Sequence, residues 1–372
     1  MSVTATTERS SVNDYRPSLV SPPGTTLGEL LEEKGIKQTE FATRLGVTPK
    51  FINELVSGKA IITPPTALAL EKTLGVPADF WLVRDARYQE ILAREKAQTA
   101  LAENVGWLEE LPLKDLKDYG LIKPQPDKPS YVAALLSFFG VASVEAWREQ
   151  YISCVVDNAA YRKVNAKKSS PGSIAAWLRV GELCAEKIEC APFNREKFLD
   201  AVSEARRLTL EEDPAVFCTK LKDLFAECGV AVVVVRAPKH CPVSGVVRWL
   251  TPQKALVQLS MKFLRNDSFW FTFFHECGHI ALHGKKILFL EGTEMSNSEE
   301  DEADRFAADR LIPPTDLARF SSGAIEEGTV KSFAKDIGIA PGIVVGRLQN
   351  DGLLKWSEMN SLKQRYEWVP SK

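Results

Sequence analysis

The stretch FTFFHECGHIALHG, Phe271 to Gly284, holds three of the chain's four histidines at four-residue intervals, with a glutamate after the first. On an α-helix, residues four apart lie about 6 Å apart in rise on nearly one face, close enough for two imidazoles to share an ion. His275 with His279 and His279 with His283 both meet that condition. Glu276 breaks the tie, because hydrolytic metal chemistry needs a carboxylate beside the first ligand, able to reach a water on the ion without ligating it. Ile280, after His279, cannot act as a base. The register is therefore His275-Glu276-Cys277-Gly278-His279, an HExxH motif. His283 lies about 12 Å of rise from His275 and has rotated away, so it is expected to cap or pack at the helix end. Cys277 faces another side of the helix and reads as a small buried residue. Flanked by WFTFF and IAL, these polar groups would be costly to bury without a partner.

Zinc in hydrolytic sites commonly takes three protein ligands. The third is sought in SNSEEDEADRFAADRLIP (296–313), where Ala303, Phe306, Ala307 and Leu311 form an apolar stripe at helical spacing. Glu300 and Asp304, four apart, share the inward side, and both carboxylates are open to the role; Glu302 is the second choice. HECGHIALH followed by EDEADRFAADRLIP resembles the ImmA/IrrE family of zinc metallopeptidases. That resemblance implies zinc held by His275, His279 and Glu300, with Glu276 as general base. Residue chemistry adds Asp304 as the carboxylate expected to orient a ligating imidazole from behind. No oxyanion donor is evident. The chain departs mildly from the family pattern at Arg310 and Ile312.

Outward from this motif, CGVAVVVVRAP (228–238), SGVVRWL (244–250) and KALVQLS (254–260) are β-branched runs between turn residues, hence three expected strands. KALVQLS could pair a substrate along a sheet edge, although a plain structural strand is favoured. Residues 97–213 alternate helical patterns with breaks at IKPQPDKPS (122–130) and KKSSPGS (167–173), and their Trp147 and Trp177 read as core.

Nearer the start, KQTEFATRLGVTPKFINELVSGK (37–59) shows a helix, a turn at Gly46, and a second helix opened by Thr48 and Pro49. This is a helix-turn-helix arrangement, and it resembles Cro/repressor-type domains; residues 58–82 extend the likeness to HigA-like antitoxins. The resemblance implies binding to double-stranded operator DNA by a homodimer. Thr48, Lys50 and Asn53 would face the major groove, and Gln38 and Lys59 the phosphates. Trp81 is then core. The bland alternative is a helical packing module, since Glu40 and Glu54 weaken the basic footprint. FAKDIGIAPGIVVGRL (333–348) echoes FATRLGVTPKFINEL (41–55), but Ala340, Gly342 and Ile343 replace the polar reading positions, which favours a packing or substrate-presenting element.

The expected architecture is multidomain and mainly α with an α+β part: a flexible tail (1–23), a helix-turn-helix domain (24–96), a helical middle region (97–213), a small α+β HExxH domain (214–318) and a helical C-terminal segment (319–372). A chain of 372 residues with 45% apolar residues can bury such cores. Its net charge of -2 excludes a whole-chain basic field. Seven cysteines without a CxxC pair argue against a disulfide framework, and the lack of a signal core or spanning segment points to a cytoplasmic protein with no membrane partner. The combined expectation is a DNA-binding regulator fused to a zinc endopeptidase that cleaves a repressor or other protein. The rival is an antitoxin whose metal domain grips a toxin or other partner without cleaving it.

Overall fold

Proline and glycine punctuation sets the N-terminal helices: α1 (Pro23–Glu33), α2 (Gln38–Leu45), α3 (Pro49–Val56), α4 (Pro64–Leu74) and α5 (Ala78–Glu103). The computed structural model describes residues 21–153, 169–284, 288–290, 297–320 and 325–368. It divides into two compact units, Met1–Glu103 and Asn104–Lys372. Proline, whose fixed φ suits a first helical turn, opens α1, α3 and α4. Gly46, at φ 73°, ends α2 in the left-handed region, and the Thr48 hydroxyl caps α3 by accepting the Phe51 N–H at 3.2 Å. Phe41, Ala42, Ile52, Leu55, Leu70 and Trp81 fill the core. The expected tail lies outside the described residues up to residue 20, and α1 begins at Pro23. α5 crosses the expected 96/97 boundary without a break and ends at Glu103.

The second unit begins with α6 (Leu113–Asp118), α7 (Lys128–Phe139) and α8 (Val144–Trp147), and the rings of Trp107, Phe139 and Trp147 contact one another. Then come α9 (Pro171–Glu186), α10 (Arg195–Ala205) and α11 (Pro214–Ala226). The sheet comprises β1 (Val230–Val234), β2 (Gly245–Thr251), β3 (Lys254–Leu259) and β4 (Leu288–Leu290), in the order β1-β3-β2-β4. β1 runs parallel to β3, and β2 runs antiparallel to β3 and β4. Three strands were expected; the fourth is only three residues long. β3 is interior, with neighbours on both sides, so KALVQLS offers no edge to a substrate.

Side chains alternate across the sheet as the pleat requires. Val230, Val232, Val247 and Val257 face the cluster that holds Phe217 and Phe225 of α11 and Phe273, while Ala231, Val233 and Leu256 pack with Ala185 of α9. Helices therefore cover both faces, and the expected division at 213/214 does not separate packing units. Gly181 lets α9 approach closely: a Cβ there would stand 1.8 Å from Gln258 Oε1. Gln258 donates to the Trp177 carbonyl at 2.7 Å, and Glu182 joins Arg248 and Arg179 in ion pairs. The remaining helices are α12 (Asn266–Leu282), α13 (Asn297–Leu311), α14 (Pro314–Phe320), α15 (Glu327–Ile337) and α16 (Pro341–Asn350). The pair α15–α16, turned at Gly338 (φ 70°), repeats the α2–α3 layout. Ala340 and Ile343 are buried, and a Cβ on Gly342 would stand 2.7 Å from Asn266 Oδ1, so the start of α16 lies against α12 instead of facing solvent. No single described helix is long and apolar enough to cross a membrane.

Candidate functional site

α12 is buried on nearly every side. Phe269, Trp270, Phe273, Phe274 and Cys277 enter the core, leaving His275, Glu276 and His279 as buried polar groups that need partners. Burial pushes the Cys277 thiol well up and keeps it neutral.

The partners come from α13, and a pair of small residues makes the approach possible. A Cβ on Gly278 would stand 3.1 Å from Ala303 Cα and 3.3 Å from Phe306 Cδ1, so glycine lets the two helices approach a few tenths of an ångström closer than a larger residue would. Ala303, Ala307 and Leu311 are buried along the contact, as their spacing predicts. The crossing sets Glu300 Oε2 3.3 Å from His275 Nε2, and Glu300 Oε1 3.8 Å from His279 Nε2. The two Nε2 atoms are 3.0 Å apart. One ligand atom from each of His275, His279 and Glu300 thus lies within 4.8 Å of the others. An ion held tetrahedrally at about 2.0–2.1 Å sets ligand–ligand edges of roughly 3.3 Å, so this donor set fits zinc.

Asp304 Oδ1 lies 2.8 Å from His275 Nδ1, behind the face that carries Nε2. Burial pulls His275 down, but hydrogen bonds to Asp304 and Glu300 and the charges of Glu276 and Glu300 outweigh it, and its pKa is pushed up to about 10. Glu276 is fully buried against the first residue of β2: a Cβ on Gly245 would stand 2.4 Å from Glu276 Oε1 and 2.7 Å from Thr272 Cγ2. His283 is the C-cap of α12, and its ring lies between His279 and Glu302. A cleft of about 470 Å³ borders Thr272 and Asp304 and is walled by Gly346 and Arg347 of α16, with Phe263 and Trp356 at its lining.

The structure thus brings the predicted His275, Glu276, His279, Glu300 and Asp304 together. Sequence reasoning missed Gly245 and Gly278, and missed the pairing of His283 with Glu302. The small residues opposite one another, Gly278 and Ala303, were the available signal. In the other unit, Gln38, Thr48, Lys50, Asn53 and Lys59 are all exposed on or beside α2 and α3. Lys50 approaches Glu54 at 3.8 Å with its side chain largely in solvent, and Thr48 is partly committed to its cap.

Comparison with known proteins bears on this first unit. Residues 27–81 match the family described as Helix-turn-helix. The chain is similar to an uncharacterized HTH-type transcriptional regulator, YddM of Escherichia coli (strain K12), at 33% identity over 60 residues, which is 16% of this chain and 64% of the relative. A solved structure from Nostoc punctiforme PCC 73102, described as an antidote protein of a plasmid maintenance system, is 29% identical over 20% of this chain and 84% of its own, with a TM-score of 0.20. The family match over residues 27–81 shows that the N-terminal unit contains a helix-turn-helix domain.

Proposed function

We propose that the chain is a DNA-binding transcriptional regulator whose second unit is a zinc-dependent endopeptidase acting on a protein. The helix-turn-helix match and the exposed Lys50, Asn53 and Lys59 support the DNA-binding part. A homodimer reading two half-sites fits such a domain.

The observation that carries the peptidase reading is the convergence of His275, His279 and Glu300, with the Glu276 carboxylate buried beside them. The resemblance of HECGHIALH and EDEADRFAADRLIP to ImmA/IrrE metallopeptidases supports it. His275, His279 and Glu300 would hold the zinc, which when bound would supply Lewis acidity. Glu276 takes the proton from the attacking water and returns it to the leaving amine. Asp304 holds the His275 ring through Nδ1, which would leave Nε2 free to ligate. The cleft of about 470 Å³ that borders Thr272 and Asp304 lies next to this cluster.

The test compares wild type with Glu276→Gln, each zinc-loaded, on a proteome-derived peptide library read by mass spectrometry. Cleavage by the wild type alone, at equal zinc content, is the expected result. No cleavage by either protein would leave a regulator whose metal domain binds a partner without proteolysis.

A further inference from the structure

Two of the acidic residues on α13 do not ligate, yet both reach the imidazoles. Asp304 touches His275 directly. Glu302 reaches His279 through an intermediary: its Oε2 lies 3.1 Å from His283 Nε2, and His283 Nδ1 lies 3.1 Å from His279 Nδ1. The His283 side chain is only 4% exposed although it sits at the helix end. Its backbone N–H donates to the His279 carbonyl, which holds its backbone one turn beyond that of its neighbour.

We propose that His283 and Glu302 form a positioning relay that fixes the tautomer and aim of the metal ligand His279. The inference rests on the metal-binding reading above. For His279 Nε2 to present a lone pair to an ion, its proton must sit on Nδ1. That N–H donates to His283 Nδ1. The His283 proton is then on Nε2 and donates to the Glu302 carboxylate. Each ligating imidazole is thereby anchored to α13: His275 by Asp304 in one step, His279 by Glu302 in two. Because α13 also delivers Glu300, one helix supplies the carboxylate ligand and aims both rings.

Outer hydrogen-bond partners of ligating histidines change metal affinity by about 10–100-fold when removed. The test is zinc affinity, measured by competition with a chromophoric chelator, for wild type, His283→Ala, Glu302→Gln, the double variant and Asp301→Asn. Asp301 is an exposed acid one residue away and controls for the loss of a nearby charge. His283→Ala should weaken zinc binding tenfold or more, and Glu302→Gln should weaken it less. In the double variant Glu302→Gln should add nothing, since its route to His279 is already cut. Asp301→Asn should stay within twofold of wild type. His283→Asn, which keeps an acceptor near Nδ1 but loses the link to Glu302, should recover part of the affinity. The absorption spectrum of the cobalt-substituted protein should change with His283→Ala and not with Asp301→Asn. Wild-type affinity in His283→Ala, equal effects of Asp301→Asn and Glu302→Gln, or additive effects in the double variant would each overturn the relay alone. A wild type that binds no zinc would overturn the peptidase reading and the relay together. Should His283→Ala fail to fold, the Glu302→Gln and Asp301→Asn pair still decides the question.

Discussion

Substitution of Gly278 perturbs the helix crossing on which the candidate centre depends. A Cβ there would stand 3.1 Å from Ala303 Cα and 3.3 Å from Phe306 Cδ1, up to a few tenths of an ångström inside ordinary contact. Alanine gains about 1 kcal/mol of helix propensity over glycine. Easing α13 outward by that small distance offsets the gain, so Gly278→Ala should melt close to wild type. Valine adds two methyl groups against the fully buried Ala303, a larger displacement than alanine requires. Overpacking of this kind costs about 1–3 kcal/mol, and at roughly 2–4 °C per kcal/mol for a unit of this size the melting temperature should fall by several degrees. The metal readout is sharper. His275 and His279 both belong to α12 and stay paired, while Glu300 moves away with α13, so zinc affinity in Gly278→Val should fall at least tenfold by chelator competition. Wild-type affinity in a folded Gly278→Val protein would refute the claim that this close crossing delivers Glu300.

Gly245→Ala places a methyl group 2.4 Å from Glu276 Oε1 and 2.8 Å from its Cγ; zinc content should persist while peptide cleavage falls sharply, and parallel loss of both would mean the contact serves folding only. Lys59→Ala should weaken operator binding uniformly across sequences and lower the salt dependence of binding, whereas Asn53→Ala should cost about 1–3 kcal/mol at one base position; fluorescence anisotropy on matched and mutated operators reads both. Burial holds the Asp85 carboxyl above its ordinary value of 3.8, and Oδ1 has no hydrogen-bond partner among the described residues. A raised folded-state value favours the protonated form, so this contribution is present below the unfolded value and is lost as pH rises through the folded one. Asp85→Asn should therefore raise the melting temperature of the N-terminal unit at pH 7, with the gain shrinking as pH falls toward 4; a gain independent of pH would contradict this.

The helix-turn-helix and the histidine helix were legible because their signals are local. Pro49, Gly46 and Thr48 act within a few residues of themselves, and His275 with His279 need only the helical repeat to meet. Glu300 was legible by resemblance, since from the stripe alone Asp304 had an equal claim. What escaped depends on distant chain segments. β4 is three residues long and acquires meaning only when paired with β2. α9 reads as an independent middle helix until Gly181 is seen against Gln258. For His283, spacing along a straight axis argues against ligation alongside His275. It says nothing of a ring that reaches its neighbour through Nδ1 and an acid on another helix.

The most direct test is the zinc content of the purified full-length chain, measured by plasma mass spectrometry beside His275→Ala and Glu300→Ala. The account predicts near-equimolar zinc in the wild type and its loss in both variants, with folding retained by circular dichroism. A wild type free of zinc after purification and reconstitution, or a Glu300→Ala protein that holds zinc as tightly as wild type, would contradict it.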